Sequence, residues 1–148
     1  IAGCTGATIA SKAGVGDITT IASGTATLDY SDLSNIAFTY SAPITVTWNN
    51  NDITGSGNSF TKGGVTITAG SIDFYDKNFE ENGTFTTTLG NFTKIEVVAT
   101  NGFCDVSGTG WSGNSEKRTW TGNASSVSFI GDIYGDGNGI KFVFTIEP

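Results

Sequence analysis

Apolar side chains recur at every second position along most of this chain, and that period admits few folds. Ile44, Val46 and Trp48 share one face of ITVTW, and Val65, Ile67 and Ala69 share one face of VTITA. The same spacing relates Phe38 to Tyr40, Ile72 to Phe74, Phe85 to Leu89 through Thr87, and Ile95 to Val97 and Ala99. It returns in Val127 and Phe129, and in Ile140, Phe142, Phe144 and Ile146. Successive side chains of a strand point to opposite faces, so each run predicts a strand with one buried face. Turn clusters separate the runs: Asn49 to Asp52, Gly63-Gly64, Asn82-Gly83, Asn101-Gly102 and Asp136 to Gly139. Asn-Gly and Asp-Gly supply the positive φ of tight hairpin turns. Helical periodicity is confined to one turn at most, over residues 31–36. Short strands with such punctuation predict an all-β fold, an antiparallel two-sheet β-sandwich that is jelly-roll-like. Its core is expected to hold Val46, Val65, Ile67, Phe74, Phe85, Ile95, Val97, Val127, Phe129, Phe142 and Phe144.

At 148 residues the chain has the length of one domain, and no Pro- or Ser-rich linker divides it. Residues 1–148 therefore read as a single sandwich. Residues 1–24 are small and polar with isolated apolar positions, which suits an N-terminal arm or an edge strand. Charged residues make up 14% of the chain, too few for a highly charged disordered segment.

The chain contains no His, which removes Ser-His-Asp and Cys-His nucleophiles, HExxH zinc sites and His-based proton transfer. Glu80 and Glu81 are adjacent, so on a strand they point to opposite faces and cannot form a facing glycosidase pair. No enzyme is expected. One Arg and six Lys stand against fourteen carboxylates, which leaves no basic footprint for nucleic acid. No apolar run approaches the ~20 residues of a membrane-spanning helix, so membrane insertion is not expected.

The two cysteines, Cys4 and Cys104, suggest one disulfide in a secreted domain. Closing so long a loop contributes at most about 4.7 kcal/mol. Two buried free thiols are the alternative.

Trp111 lies in SGTGWSG, a segment whose glycines offer no obvious way to bury an indole. An exposed ring there suits the apolar face of a sugar, with Asn114 as a hydroxyl partner; the competing placement folds Trp111 back as a lid on the core. Tyr75 with Asp76, and Tyr134 between Asp132 and Asp136, are further platform candidates. Asp132, Asp136 and Asn138 place oxygen ligands in GDIYGDGNG, where a calcium ion is conceivable as the sole cofactor. A plain turn that uses Asp and Asn for their tolerance of positive φ is the other reading.

From about Ile44 onward, ITVTWNNNDITGSGNSFTKGGVTITAG, GTFTTTLGNFTKIEV, SGTGWSG, TWTGNASSVSF and FVFTIEP resemble recurrent extracellular modules of gut-bacterial surface and secreted proteins. The resemblance implies a β-sandwich in a multi-module bacterial protein, outside the cell or at its surface, with no assigned catalytic residues. The expected function is non-catalytic carbohydrate binding, with a polysaccharide or glycan as partner. The alternative is a structural or adhesive surface or filament subunit that joins neighbouring modules through its N-terminal strand.

Overall fold

The structure is a computed structural model and describes residues 8–11, 36–39, 41–136 and 139–148. The chain divides into two compact units, residues 1–41 and 42–148, a boundary later than the arm of residues 1–24 suggested by composition. In the first unit β1 (Thr8–Ser11) and β2 (Ile36–Thr39) pair antiparallel, with Ile9 opposite Phe38. The helical turn expected over 31–36 falls on residues outside those described, up to Ile36, which opens β2.

The second unit is a sandwich of two antiparallel sheets. One runs in the order β3 (Ile44–Asn49), β13 (Ile140–Glu147), β7 (Asn91–Ala99), β10 (Lys117–Ala124), β9 (Trp111–Gly113). The other runs β4 (Ser59–Lys62), β5 (Val65–Asp73), β6 (Asn78–Thr87), β12 (Ile133–Tyr134), β8 (Phe103–Cys104), and β11 (Ser126–Phe129) also pairs with β6. The all-β sandwich read from the alternation is the fold. Its one helical piece among the described residues is a 3-10 turn at Asn50–Asp52, and no helix there is long and apolar enough to cross a membrane.

The two inner faces meet in a core rich in rings. Trp48 is fully buried and meets Phe60 at 4.9 Å, Phe142 at 5.6 Å and Phe144 at 4.6 Å between ring centroids, all edge-on. Such geometry places ring edges against ring faces and adds to the burial term. Its indole N–H donates to the Lys62 carbonyl at 3.1 Å, which ties β3 of one sheet to β4 of the other. Of the expected core, Val46 and Phe74 are only partly buried at its margin, and the others are buried. Phe92 and Ile95 are both buried although three residues apart. A register shift in the pairing of β7 with β13 and β10 lets both face inward.

Two glycine-containing pairs behave differently. Gly63 and Gly64 have φ of +63° and +75° and close the tight β4–β5 hairpin, as expected. Asn82-Gly83, expected as a hairpin turn, instead lies inside β6. Glu81 and Asn82 take φ of +63° and +65° where the register against β5 shifts, so the signal marks a bulge. Gly83 then leaves room for the Phe129 ring, which a β-carbon would meet at 2.5 Å.

The sheet edges differ in how they end. β9 and β8 have three and two residues, and β4 carries Lys62, whose ammonium lies 2.5 Å from Asp52. β3 is six residues long, uncharged and paired without interruption to β13. The amide of Thr100 donates to the Gly139 carbonyl, so Gly139 and alternate residues of β13 face β7. Phe142, Phe144 and Ile146 therefore bond to Trp48, Val46 and Ile44. Thr45, Thr47 and Asn49 present their amides and carbonyls outward. The Asn49 amide is taken by the Asp52 carboxylate at 2.8 Å.

Candidate functional site

β7, β10 and β9 lie side by side, with Ile95 opposite Trp120 and Trp120 opposite Trp111. Residues directly opposite in a sheet share a face. Ile95 is buried in the core, so both indoles are directed to the core side as well. Trp120 is 7% exposed and donates its indole N–H to the Thr109 carbonyl at 3.1 Å. Trp111 is half-buried, donates to the Ser128 carbonyl at 3.0 Å, and lies 6.3 Å from Phe85 and 6.4 Å from Phe129 between centroids. The glycines of SGTGWSG make this possible. Gly110, at φ +86°, sits where a β-carbon would be 2.5 Å from the Trp120 indole nitrogen, and Gly122 closes on the other end of the same ring. Trp111 is thus a lid on the core, and the exposed platform expected in this loop is corrected accordingly.

Beside this lid a groove of about 410 Å³ runs between residues 107–109 and β11. Its floor is Trp120 and Val127, and its rim is Ser107, Thr109, Ser126, Ser128 and Ile130. Hydroxyls and short apolar groups line it, with no carboxylate or cation among them. Asn114 is not part of it. Its side-chain oxygen accepts the amides of Glu116 and Lys117, both at 3.0 Å, which shapes the β9–β10 turn.

The other candidates gather on the opposite sheet. Phe103 and Tyr134 are partners across β8 and β12, and their neighbours Cys104 and Ile133 point into the core. Phe103, 46% exposed, and Tyr134 therefore share the outer face. Gly135 packs against the carbonyls of Asp76 and Lys77, which brings the Tyr75 turn to the same end. That turn is fixed by Asp73, whose carboxylate accepts the amides of Tyr75 and Asp76, and by Lys77, whose ammonium donates to the Phe74 carbonyl. Tyr75 is 87% exposed. Tyr75, Asp76 and Tyr134 are brought together; Trp111 and Asn114 are elsewhere. Phe103, which the alternation did not single out, belongs to the group because it sits one residue from an inward cysteine.

Asp132 is engaged in building this end. One carboxylate oxygen accepts the Glu81 amide at 2.9 Å and the other the Tyr134 hydroxyl at 3.3 Å. Desolvation, then the charges of Asp132 and Glu80, hold the Tyr134 hydroxyl above its ordinary pKa. Of the proposed calcium ligands, Asn138 lies outside the described residues. Among the described residues no three His, Cys, Asp or Glu side chains are grouped to hold a metal ion.

The expected Cys4–Cys104 bond has one end, Cys4, outside the described residues. Cys104 is a free thiol, fully buried opposite Ile133 because β8 turns Phe103 out and Cys104 in. Burial pushes its pKa up to about 11, which keeps it protonated and slow to react.

Compared with family models, with curated proteins and with solved structures, the chain matches none.

Proposed function

We propose that this chain is a non-catalytic structural or adhesive module of an extracellular surface protein, joined to its neighbours by strand pairing. The observation that carries the reading is the outer edge of β3, six residues without charge, bulge or internal proline. Proteins blunt such edges when they are to stay alone, because open amides and carbonyls template a further strand. The inward packing of the half-buried Trp111 supports the same reading, since it turns the leading sugar-platform candidate toward Phe85 and Phe129. The experiment is affinity electrophoresis of the chain in gels containing a panel of polysaccharides. Unretarded migration in every gel is the expected result. Retardation that Tyr75→Ala abolishes would overturn it.

Carbohydrate binding is the second reading, and the Phe103–Tyr134–Tyr75 end favours it. Two exposed rings and a half-buried one gather there, with the carboxylates of Asp132 and Glu80 beside the Tyr134 hydroxyl, the mixture that stacks on a sugar and holds its hydroxyls.

A further inference from the structure

We propose that β3 pairs antiparallel with β3 of a second copy of this chain, about a twofold axis through Val46. The inference rests on the structural-module reading and names its partner. The outward groups of β3 form a short self-complementary set. With Val46 opposite Val46 of the second copy, Thr45 lies opposite Thr47 and Thr47 opposite Thr45. The amides and carbonyls of Thr45 and Thr47 have no partner among the described residues. Pairing them gives four hydrogen bonds related by the twofold axis.

The ladder also ends itself. One step further, Asn49 would face Pro43. The Asn49 amide is held by Asp52, and Pro43 has no amide to give. On the solvent face Thr45 and Thr47 side chains become cross-strand neighbours, a pairing that threonine favours. On the inner face the half-buried Val46 meets its own copy and loses remaining contact with water. Among the described residues, no other edge of the two sandwich sheets offers this. β9 and β8 are too short, and Lys62 charges β4. On β11 the Ile130 amide and carbonyl are bonded to Ser107, and the Ser128 carbonyl to Trp111. A second copy fits better than a charged partner, because the edge itself carries no charge to recognise one. The two copies carry −7 each, so raising the salt concentration screens their repulsion and strengthens the pair.

Sedimentation velocity of the full chain, up to about 1 mM, reads the association, which four hydrogen bonds keep weak. The expected result is a monomer that shifts to dimer with concentration, and more so at high salt. Thr47→Pro removes an outward amide and leaves the inner ladder to β13 intact, so it weakens the dimer at least about tenfold. Should that variant fold poorly, Thr45→Lys/Thr47→Lys keeps the backbone and sets like charges face to face; it is expected to stay monomeric with an unchanged melting temperature. A wild-type chain that remains monomeric throughout overturns the inference. So does a dimer that survives the lysine pair. Neither outcome touches the polysaccharide gels, which test the module reading separately.

Discussion

Trp111, among glycine and serine, and Tyr75, among aspartate, lysine and asparagine, are both large aromatics in polar stretches, and both sit next to sharp turns. In the folded chain one ring turns in and the other turns out. Trp111 is on β9, in line with Trp120 and Ile95, so the face it occupies is decided by its pairing with β10 and, through β10, with β7. Tyr75 lies in a turn whose backbone is held by Asp73, and no strand dictates a face for it. The difference teaches that local composition does not decide exposure. A glycine loop exposes a ring only when nothing across the sandwich has left a place for it.

The sharpest way to break this comparison is to truncate the inward ring. Trp111→Ala removes a ring from contact with Phe85 and Phe129 and strands the Ser128 carbonyl acceptor. A loss of about 3 kcal/mol is expected, the low end for core Trp or Phe truncations because Trp111 is half-buried. Urea unfolding measures it. A change under about 0.5 kcal/mol, the level of ordinary surface substitutions, would return Trp111 to the surface and to the sugar-platform reading.

Next in size is the glycine that lets the loop close. Gly110→Ala puts a β-carbon 2.5 Å from the Trp120 indole nitrogen at a φ of +86°. Strain and displacement together should destabilise the fold by roughly 2–3 kcal/mol. Gly57 has nearly the same φ, +84°, and nothing within 4 Å of a β-carbon. Gly57→Ala should therefore show the backbone cost alone, about 1 kcal/mol. Equal losses in the two variants would mean that packing on Trp120 contributes nothing.

These cases show what was legible from residues alone. The strands were, because alternation is local: Val65, Ile67 and Ala69 announce themselves, and β5 buries all three. Pairing was not, because register is set between distant segments. Asn82-Gly83 carries a hairpin signal yet sits in a bulge, since β5 and β11 both pair with β6 there. Cys104 read as half of a disulfide from the even cysteine count, and its inward side chain was hidden because its strand has only two residues, too few for alternation to show. Phe103 was passed over for the same reason. Gly122 was the missed clue for Trp120: two residues on, it faces the same way, and its missing side chain leaves room for the indole.

A smaller effect belongs to the outer face of the ladder that holds Trp111. Glu96 lies 2.6 Å from the Lys117 ammonium and 3.1 Å from that of Lys94. Lys117 first, then Lys94, holds its carboxyl below the ordinary pKa. A depressed carboxylate pKa contributes stability that is complete above the unfolded value and lost as pH falls through the folded one. The lysines are largely exposed, so Glu96→Gln should cost only ~0.5 kcal/mol at neutral pH. The gap between wild type and variant in melting temperature should hold down to about pH 5 and close as the solution becomes more acidic than the usual carboxylate range. A gap that widens in acid would show the wrong sign for this pairing.

The smallest effect on stability is expected at the outward ring. Tyr75 is 87% exposed, and only its amide, bonded to Asp73, helps to hold the turn. Tyr75→Ala keeps that amide and removes a ring that the core does not use. The change in unfolding free energy should stay within about 0.5 kcal/mol, as for most surface substitutions away from caps and buried networks. The same variant separates the two functional readings. If the chain is a structural module, Tyr75→Ala leaves its migration through polysaccharide gels unchanged. If the wild type is retarded and the variant is not, the ring stacks on a sugar, and the Phe103–Tyr134–Tyr75 end is a binding site. A loss of more than ~1 kcal/mol on removing Tyr75 would place its ring in packing instead, and the contrast with Trp111 would no longer hold.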